Sequence, residues 1–148
     1  MDENINAFEF PWIRRVIESA EEFIRLRFSD APEEYGRAIS EPAAPDVWLE
    51  VIKRYPEARF WVAHNKTVPL EILWVLANDL DPRVRSMVAS KRKLSTDLLT
   101  TLAADPDESV RLAVARHKSV PRSVLEQLRT DIWEEVRKVA HDRLERSH

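Results

Sequence analysis

From residue 58 onward, apolar side chains fall into two alternating groupings. The first reads Ala58-Arg59-Phe60-Trp61-Val62-Ala63, Val84-Arg85-Ser86-Met87-Val88-Ala89, Val110-Arg111-Leu112-Ala113-Val114-Ala115 and Val136-Arg137-Lys138-Val139-Ala140-His141. Its first and fifth positions lie one turn apart on an α-helix, which predicts a short helix A with one buried face. The second grouping is Ile72-Leu73 with Leu76, Leu98-Leu99 with Leu102, and Val124-Leu125 with Leu128. This i, i+1, i+4 spacing predicts an amphipathic helix B. Basic turns join A to B, as in His64-Asn65-Lys66-Thr67-Val68 and Arg116-His117-Lys118-Ser119-Val120. Pro69 and Pro121 follow them, where a first helical turn tolerates a missing N–H. Asp81-Pro82 and Asp105-Pro106 then break helix B and reset the chain.

Upstream the pattern loosens. Pro45, Trp48-Leu49 and Ile52 match a degenerate helix B, closed by Tyr55-Pro56. Pro11 to Phe28 reads as helical, with Ile13, Val16-Ile17, Ala20 and Ile24 on one face. Ser19 with Glu22, and Asp30 with Glu33, stand at capping-box spacing, and residues 30–39 read as a further short helix containing Tyr35 and Gly36. Residues 1–9 read as loose. Aromatic residues concentrate here: Trp12, Phe23, Phe28, Tyr35, Trp48, Tyr55, Phe60, Trp61 and Trp74. Most are expected in a core that closes the atypical first units.

The groupings recur with a fixed period. Arg59, Arg85, Arg111 and Arg137 are spaced by 26 residues, and so are Asp79, Asp105 and Asp131. Leu73, Leu99 and Leu125 keep the same interval, as do Leu76, Leu102 and Leu128. Self-similarity of this kind predicts an all-α chain, a short right-handed α-solenoid of about 26-residue helical repeats. The expected organisation is one domain over 1–148, with an N-terminal helical cap at 1–44 and degenerate plus regular repeats at 45–148.

The V-R-x-x-V-A blocks, the Pro-x-x-[IV]-L-x-x-L stretches and the Asp-Pro breaks resemble the leucine-rich-repeat variant family and, more broadly, HEAT-like α-solenoids. The resemblance covers roughly residues 45–143 and is specific for fold rather than function. It implies a curved face offered to a protein or a nucleic acid. One variant-repeat relative carries an iron–sulphur cluster on N-terminal cysteines. This chain has no cysteine, so that role does not carry over.

Composition sharpens the class. One glycine in 148 residues disfavours sheets, tight hairpins and phosphate-cradling loops. The lack of cysteine excludes disulfides and thiolate metal sites. The acidic start, Met1-Asp2-Glu3-Asn4, has no apolar run, and no stretch approaches the ~18 apolar residues of a membrane span. No membrane association and a cytoplasmic location are expected. Net charge is −3, with 13 acidic and 7 basic side chains in residues 1–57 against 13 and 16 in residues 58–148.

Two kinds of recurring charge are candidates for function. Because the Arg59/Arg85/Arg111/Arg137 ladder co-repeats with Asp79/Asp105/Asp131, it is expected to hold neighbouring repeats together by Arg–Asp pairs. The basic turns (Lys66, then Lys91-Arg92-Lys93, then Arg116-His117-Lys118) are expected to form one cationic ridge open to a partner. Trp74, where later copies have Thr100 and Glu126, either packs under the cap or stands out as an exposed anchor. Trp133 replaces Asp107 and is expected to cap the C-terminal end, while His141-Asp142 reads as the frayed end of the last helix A.

His64, His117, His141 and His148 make no metal-ligand spacing, so no metal or cofactor is expected. The adjacent pairs Glu21-Glu22, Glu33-Glu34 and Glu134-Glu135 read as solvated or helix-capping charge. No nucleophile, phosphate-loop or metalloprotease motif occurs, so no catalytic residue is assigned. The expectation is a non-enzymatic protein-binding module, an adaptor or immunity-type protein that masks a partner with an acidic patch. A nucleic-acid-binding protein using the basic ridge is the alternative, although the pI near 5.9 and turns without aromatics argue against it. A minimal DNA-glycosylase-like enzyme comes third.

Overall fold

A computed structural model describes residues 15–146. Trp12, Ile13, His148 and the loose segment expected at residues 1–9 lie outside the described residues. The described chain is all-helical, with an isolated bridge between Ile17 and Ala43 as its only β pairing. No helix among the described residues is long and apolar enough to cross a membrane. The chain divides into two compact units, Met1–Pro69 and Leu70–His148.

The first unit contains α1 (Ala20–Arg27), α2 (Pro32–Ser40), α3 (Pro45–Arg54), a 3-10 turn (Pro56–Ala58) and α4 (Arg59–His64). Ser19 caps α1, its hydroxyl accepting the Glu22 N–H at 3.0 Å. Residues 15–19 are not helical, contrary to the helix expected from Pro11. Ile17 is instead drawn into the core by an N–H bond to the Pro42 carbonyl, 2.8 Å, which holds this stretch extended. Asp30 does not cap α2. Pro32 opens that helix at its first turn, and the Ser29 hydroxyl takes the Ala31 N–H.

α1 packs on α2 and α3, and α3 packs on α4. Phe23 and Trp48 meet edge to face in this core, 5.2 Å between centroids, and both are fully buried. On α3 the buried residues are Trp48 and Val51 while Leu49 is exposed, so its apolar face is turned away from the Trp48-Leu49-Ile52 stripe. Phe28 and Tyr35, expected among the core aromatics, are exposed.

The second unit contains α5 (Leu70–Leu76), α6 (Pro82–Ala89), α7 (Thr96–Leu102), α8 (Glu108–Arg116), α9 (Arg122–Leu128) and α10 (Glu134–Glu145). Asp81, Ser95 and Asp107 cap α6, α7 and α8 by accepting backbone N–H groups two or three residues ahead. Trp133 takes the capping position of α10 but cannot make that bond. α6 packs on α8, and α8 on α10, with α7 and α9 alongside. Val84 and Val88, Val110 and Val114, and Val136 and Ala140 are buried, together with the Ile72-Leu73-Leu76, Leu98-Leu99-Leu102 and Val124-Leu125-Leu128 stripes. α10 runs on to Glu145, so His141-Asp142 is not a frayed end: Leu144, one turn further, is buried and extends the helix's apolar face.

Candidate functional site

The arginine and aspartate ladders are internal. Arg85 donates Nε to Asp105 Oδ2 at 2.8 Å and Nη2 to Oδ1 at 3.0 Å, while its Nη1 donates to the Asp79 and Leu80 carbonyls at 2.8 and 3.2 Å. Arg111 repeats this with Asp131 (2.8 and 3.1 Å) and the Asp105 and Pro106 carbonyls (2.9 and 3.1 Å). Arg137 keeps the carbonyl half, donating to Asp131 and Ile132. In the first unit Arg59 Nε donates to the Ile52 carbonyl at 2.7 Å. Asp79, Asp105 and Asp131 each also accept the N–H two residues ahead, at 2.9 Å. One planar fork therefore holds a carboxylate on one side and two loop carbonyls on the other, a task that a lysine ammonium cannot perform. The loop position that supplies the second carbonyl turns its side chain outward, leaving Leu80 and Ile132 almost wholly exposed.

A second internal ladder is not visible as a residue type. Asn65, Lys91, His117 and Arg143 stand 26 residues apart. In the first unit Asn65 is fully buried: its Nδ2 donates to the Ala38 and Glu41 carbonyls at 2.8 and 3.0 Å, and its Oδ1 accepts the Thr67 N–H at 2.8 Å. In the second unit His117 is buried, with Nδ1 accepting the Ser119 N–H at 3.0 Å and Nε2 lying 2.5 Å from the Lys91 carbonyl. Since Nδ1 accepts, the ring proton belongs on Nε2, which donates to that carbonyl. Arg143 Nη1 donates to the Ala115 carbonyl at 2.9 Å and also to that of His117. Each of these three side chains reaches back to carbonyls at or near the end of an earlier helix and satisfies groups that the helix itself leaves free.

These contacts divide the basic turns into used and open charge. His117, expected on the ridge, is withdrawn from it: two hydrogen bonds and burial make it part of the frame. Lys91 is half-buried, and burial holds its ammonium below the ordinary lysine value. Arg92, Lys93, Arg116 and Lys118 are exposed. Lys66 is exposed too but belongs to the first unit, and Trp74 on α5 is half-buried. Ser90, Arg92, Ala113, Arg116, His117 and Lys118 line an open hollow of about 330 Å³ between the ends of α6 and α8. Ala113 is the smallest residue at its place in the period, where Trp61, Met87 and Val139 stand in the other copies, and this leaves the space open. Among the described residues no carboxylate forms an ion pair with Arg92, Arg116 or Lys118.

No family model, curated protein or solved structure matches this chain. What the hollow can do therefore follows from its own chemistry: three cations beside a small floor, with no carboxylate paired to them among the described residues.

The carboxylate pairs are occupied elsewhere. Glu21 pairs with Arg54, Glu22 with Arg37, Glu34 with Arg25, and Glu134 with Lys138. The Arg54 guanidinium beside Glu21, and the Ser29 hydroxyl and Arg25 beside Glu34, hold these carboxyls below their ordinary value, as in solvated ion pairs. Among the described residues no cluster of three or more His, Asp or Glu is placed to hold a metal ion.

The framing role of His117 has a measurable consequence. His117→Ala leaves the Lys91 carbonyl and the Ser119 N–H without their partner and is expected to cost about 1–3 kcal/mol. His117→Asn restores the chemistry that Asn65 uses, an acceptor for the N–H two residues ahead and a donor for a carbonyl, and is expected to recover part of the loss. Urea unfolding of the three proteins checks this, and equal losses in both variants would count against the framing role.

Proposed function

We propose that this protein is a non-enzymatic protein-binding module whose basic turns engage an acidic surface on a partner. On this reading the helices form a short right-handed solenoid of about 26-residue repeats behind an N-terminal cap, of the leucine-rich-repeat variant or HEAT-like kind. It acts in the cytoplasm as an adaptor or immunity-type protein. The observation that carries the reading is the contrast within the turns. The donors of the arginine ladder and of Asn65, His117 and Arg143 are spent on internal hydrogen bonds, whereas Arg92, Arg116 and Lys118 line an open hollow and form no ion pair among the described residues. Exposed like charges brought together without counter-charge repel one another, a cost that an acidic partner offsets.

The test compares the wild-type chain with a variant carrying Arg92→Glu, Lys93→Glu, Arg116→Glu and Lys118→Glu as baits for proteins in a lysate. The expected result is capture of a partner by the wild type that the variant loses and that high salt weakens. Capture of the same proteins by both would overturn the reading. Nucleic-acid binding through the same turns remains the alternative. It is favoured only if the wild type retards random duplex or single-stranded DNA at low salt with a steep salt dependence.

A further inference from the structure

The hollow between the ends of α6 and α8 offers more than a diffuse positive field. Ser90 and Arg92 border it from the end of α6, and Arg116, His117 and Lys118 border it from the end of α8, with Ala113 one turn back on α8. The helix ends themselves do not need the three cations. The Ser90 N–H and hydroxyl both turn to carbonyls of the last turn of α6, His117 takes the Lys91 carbonyl, and Arg143 takes those of Ala115 and His117. Arg92, Arg116 and Lys118 line the hollow, are exposed, and form no ion pair among the described residues.

Two arginines and a lysine lining one open hollow favour a ligand with more than one charge and more than two acceptors. A carboxylate brings one charge and two oxygens. A phosphomonoester near neutral pH brings about −1.5 to −2 and three acceptor oxygens. Guanidinium forks match phosphate oxygens in pairs, and lysine adds a point charge. A phosphodiester carries half the charge, and among the described residues no Phe, Tyr or Trp lines the hollow to stack a base, which weighs against a nucleic-acid strand.

We propose that this hollow is a binding site for a phosphomonoester dianion, held by Arg92, Arg116 and Lys118. The proposal rests on the basic-turn reading above and deepens it, since a phosphorylated side chain on the partner is the group that would enter.

The experiment follows backbone amide resonances of the full chain while inorganic phosphate is added. Alongside it, the affinity of an acidic peptide containing one phosphoserine is compared with that of the same peptide carrying Asp in its place. The expected result is saturable movement of the Ser90–Lys93 and Ala113–Ser119 signals with phosphate. The phosphoserine peptide should bind at least about tenfold more tightly than the Asp peptide, as a difference of one to two charge-assisted hydrogen bonds implies. Arg92→Gln and Arg116→Gln should each weaken both ligands by about tenfold while melting close to the wild type, because both side chains are exposed.

Equal binding of the two peptides would overturn the phosphate site and leave the acidic-partner reading standing. Saturable phosphate binding without any peptide binding would support the site and count against a protein partner. No movement of these signals with phosphate or phosphopeptide would overturn the site, and the partner reading would then be decided by the charge-reversal capture alone.

Discussion

Arg111→Ala is expected to destabilise the protein by about 3–5 kcal/mol, the range for breaking a buried ion pair from one side. The side chains of Arg111 and Asp131 are 12% and 7% exposed. Removing the guanidinium strands the Asp131 carboxylate and withdraws the donor from the Asp105 and Pro106 carbonyls. A chain of this size loses about 2–4 °C in melting temperature per kcal/mol, so the expected drop is roughly 10 °C. Arg111→Lys keeps the charge but not the fork and should recover only part of it. A melting temperature of Arg111→Ala within about 2 °C of the wild type would rule out the assigned role.

The same pair sets a pH signature. Burial pushes the Asp131 carboxyl up, but the hydrogen bonds from the Arg111 guanidinium and the Trp133 N–H outweigh it and hold the group below its ordinary value. A carboxyl lowered in the folded state contributes stability that is complete above its unfolded value, about 3.9, and is lost as pH falls through the lower folded value. The wild type should therefore lose stability below about pH 4 more steeply than Arg111→Ala. The gap between their melting temperatures should narrow in acid.

The other large effect lies in the first unit. Trp48→Ala removes a fully buried side chain and its edge-on contact with Phe23, which is expected to cost about 3–5 kcal/mol. Trp48→Phe should be much milder. It keeps a ring against Phe23, and it removes an indole N–H that is buried with no acceptor among the described residues, a liability that offsets part of the lost volume. The urea midpoints of the two variants check this. If Phe and Ala prove equally damaging, ring packing against Phe23 does not explain the site.

The Arg111–Asp131 pair announces itself, because a strict Arg/Asp co-repetition spans residues of one type at one interval. The bonds to the loop carbonyls do not, since carbonyls carry no residue identity. The orientation of α3 is likewise hidden: Trp48 and Val51 face inward rather than Leu49 because α1 packs on that side. The hollow is half legible. Its charges stand in recurring basic turns, but only packing shows that Lys91 is half-buried and His117 buried while Arg92, Arg116 and Lys118 stay open.

Periodicity is sufficient to place α5 to α9, because a helical stripe repeats within four residues. Such a stripe is set by neighbours along the chain, so it is written in contiguous residues. The ladder of Asn65, Lys91, His117 and Arg143 belongs to the other kind. Four different side chains occupy one place in the period, and those of Asn65, His117 and Arg143 share only an N–H that reaches a carbonyl 24 to 28 residues earlier. Which charges are spent on the frame and which remain for a partner is therefore decided by packing across that distance, where hydrogen-bond geometry counts and residue identity does not.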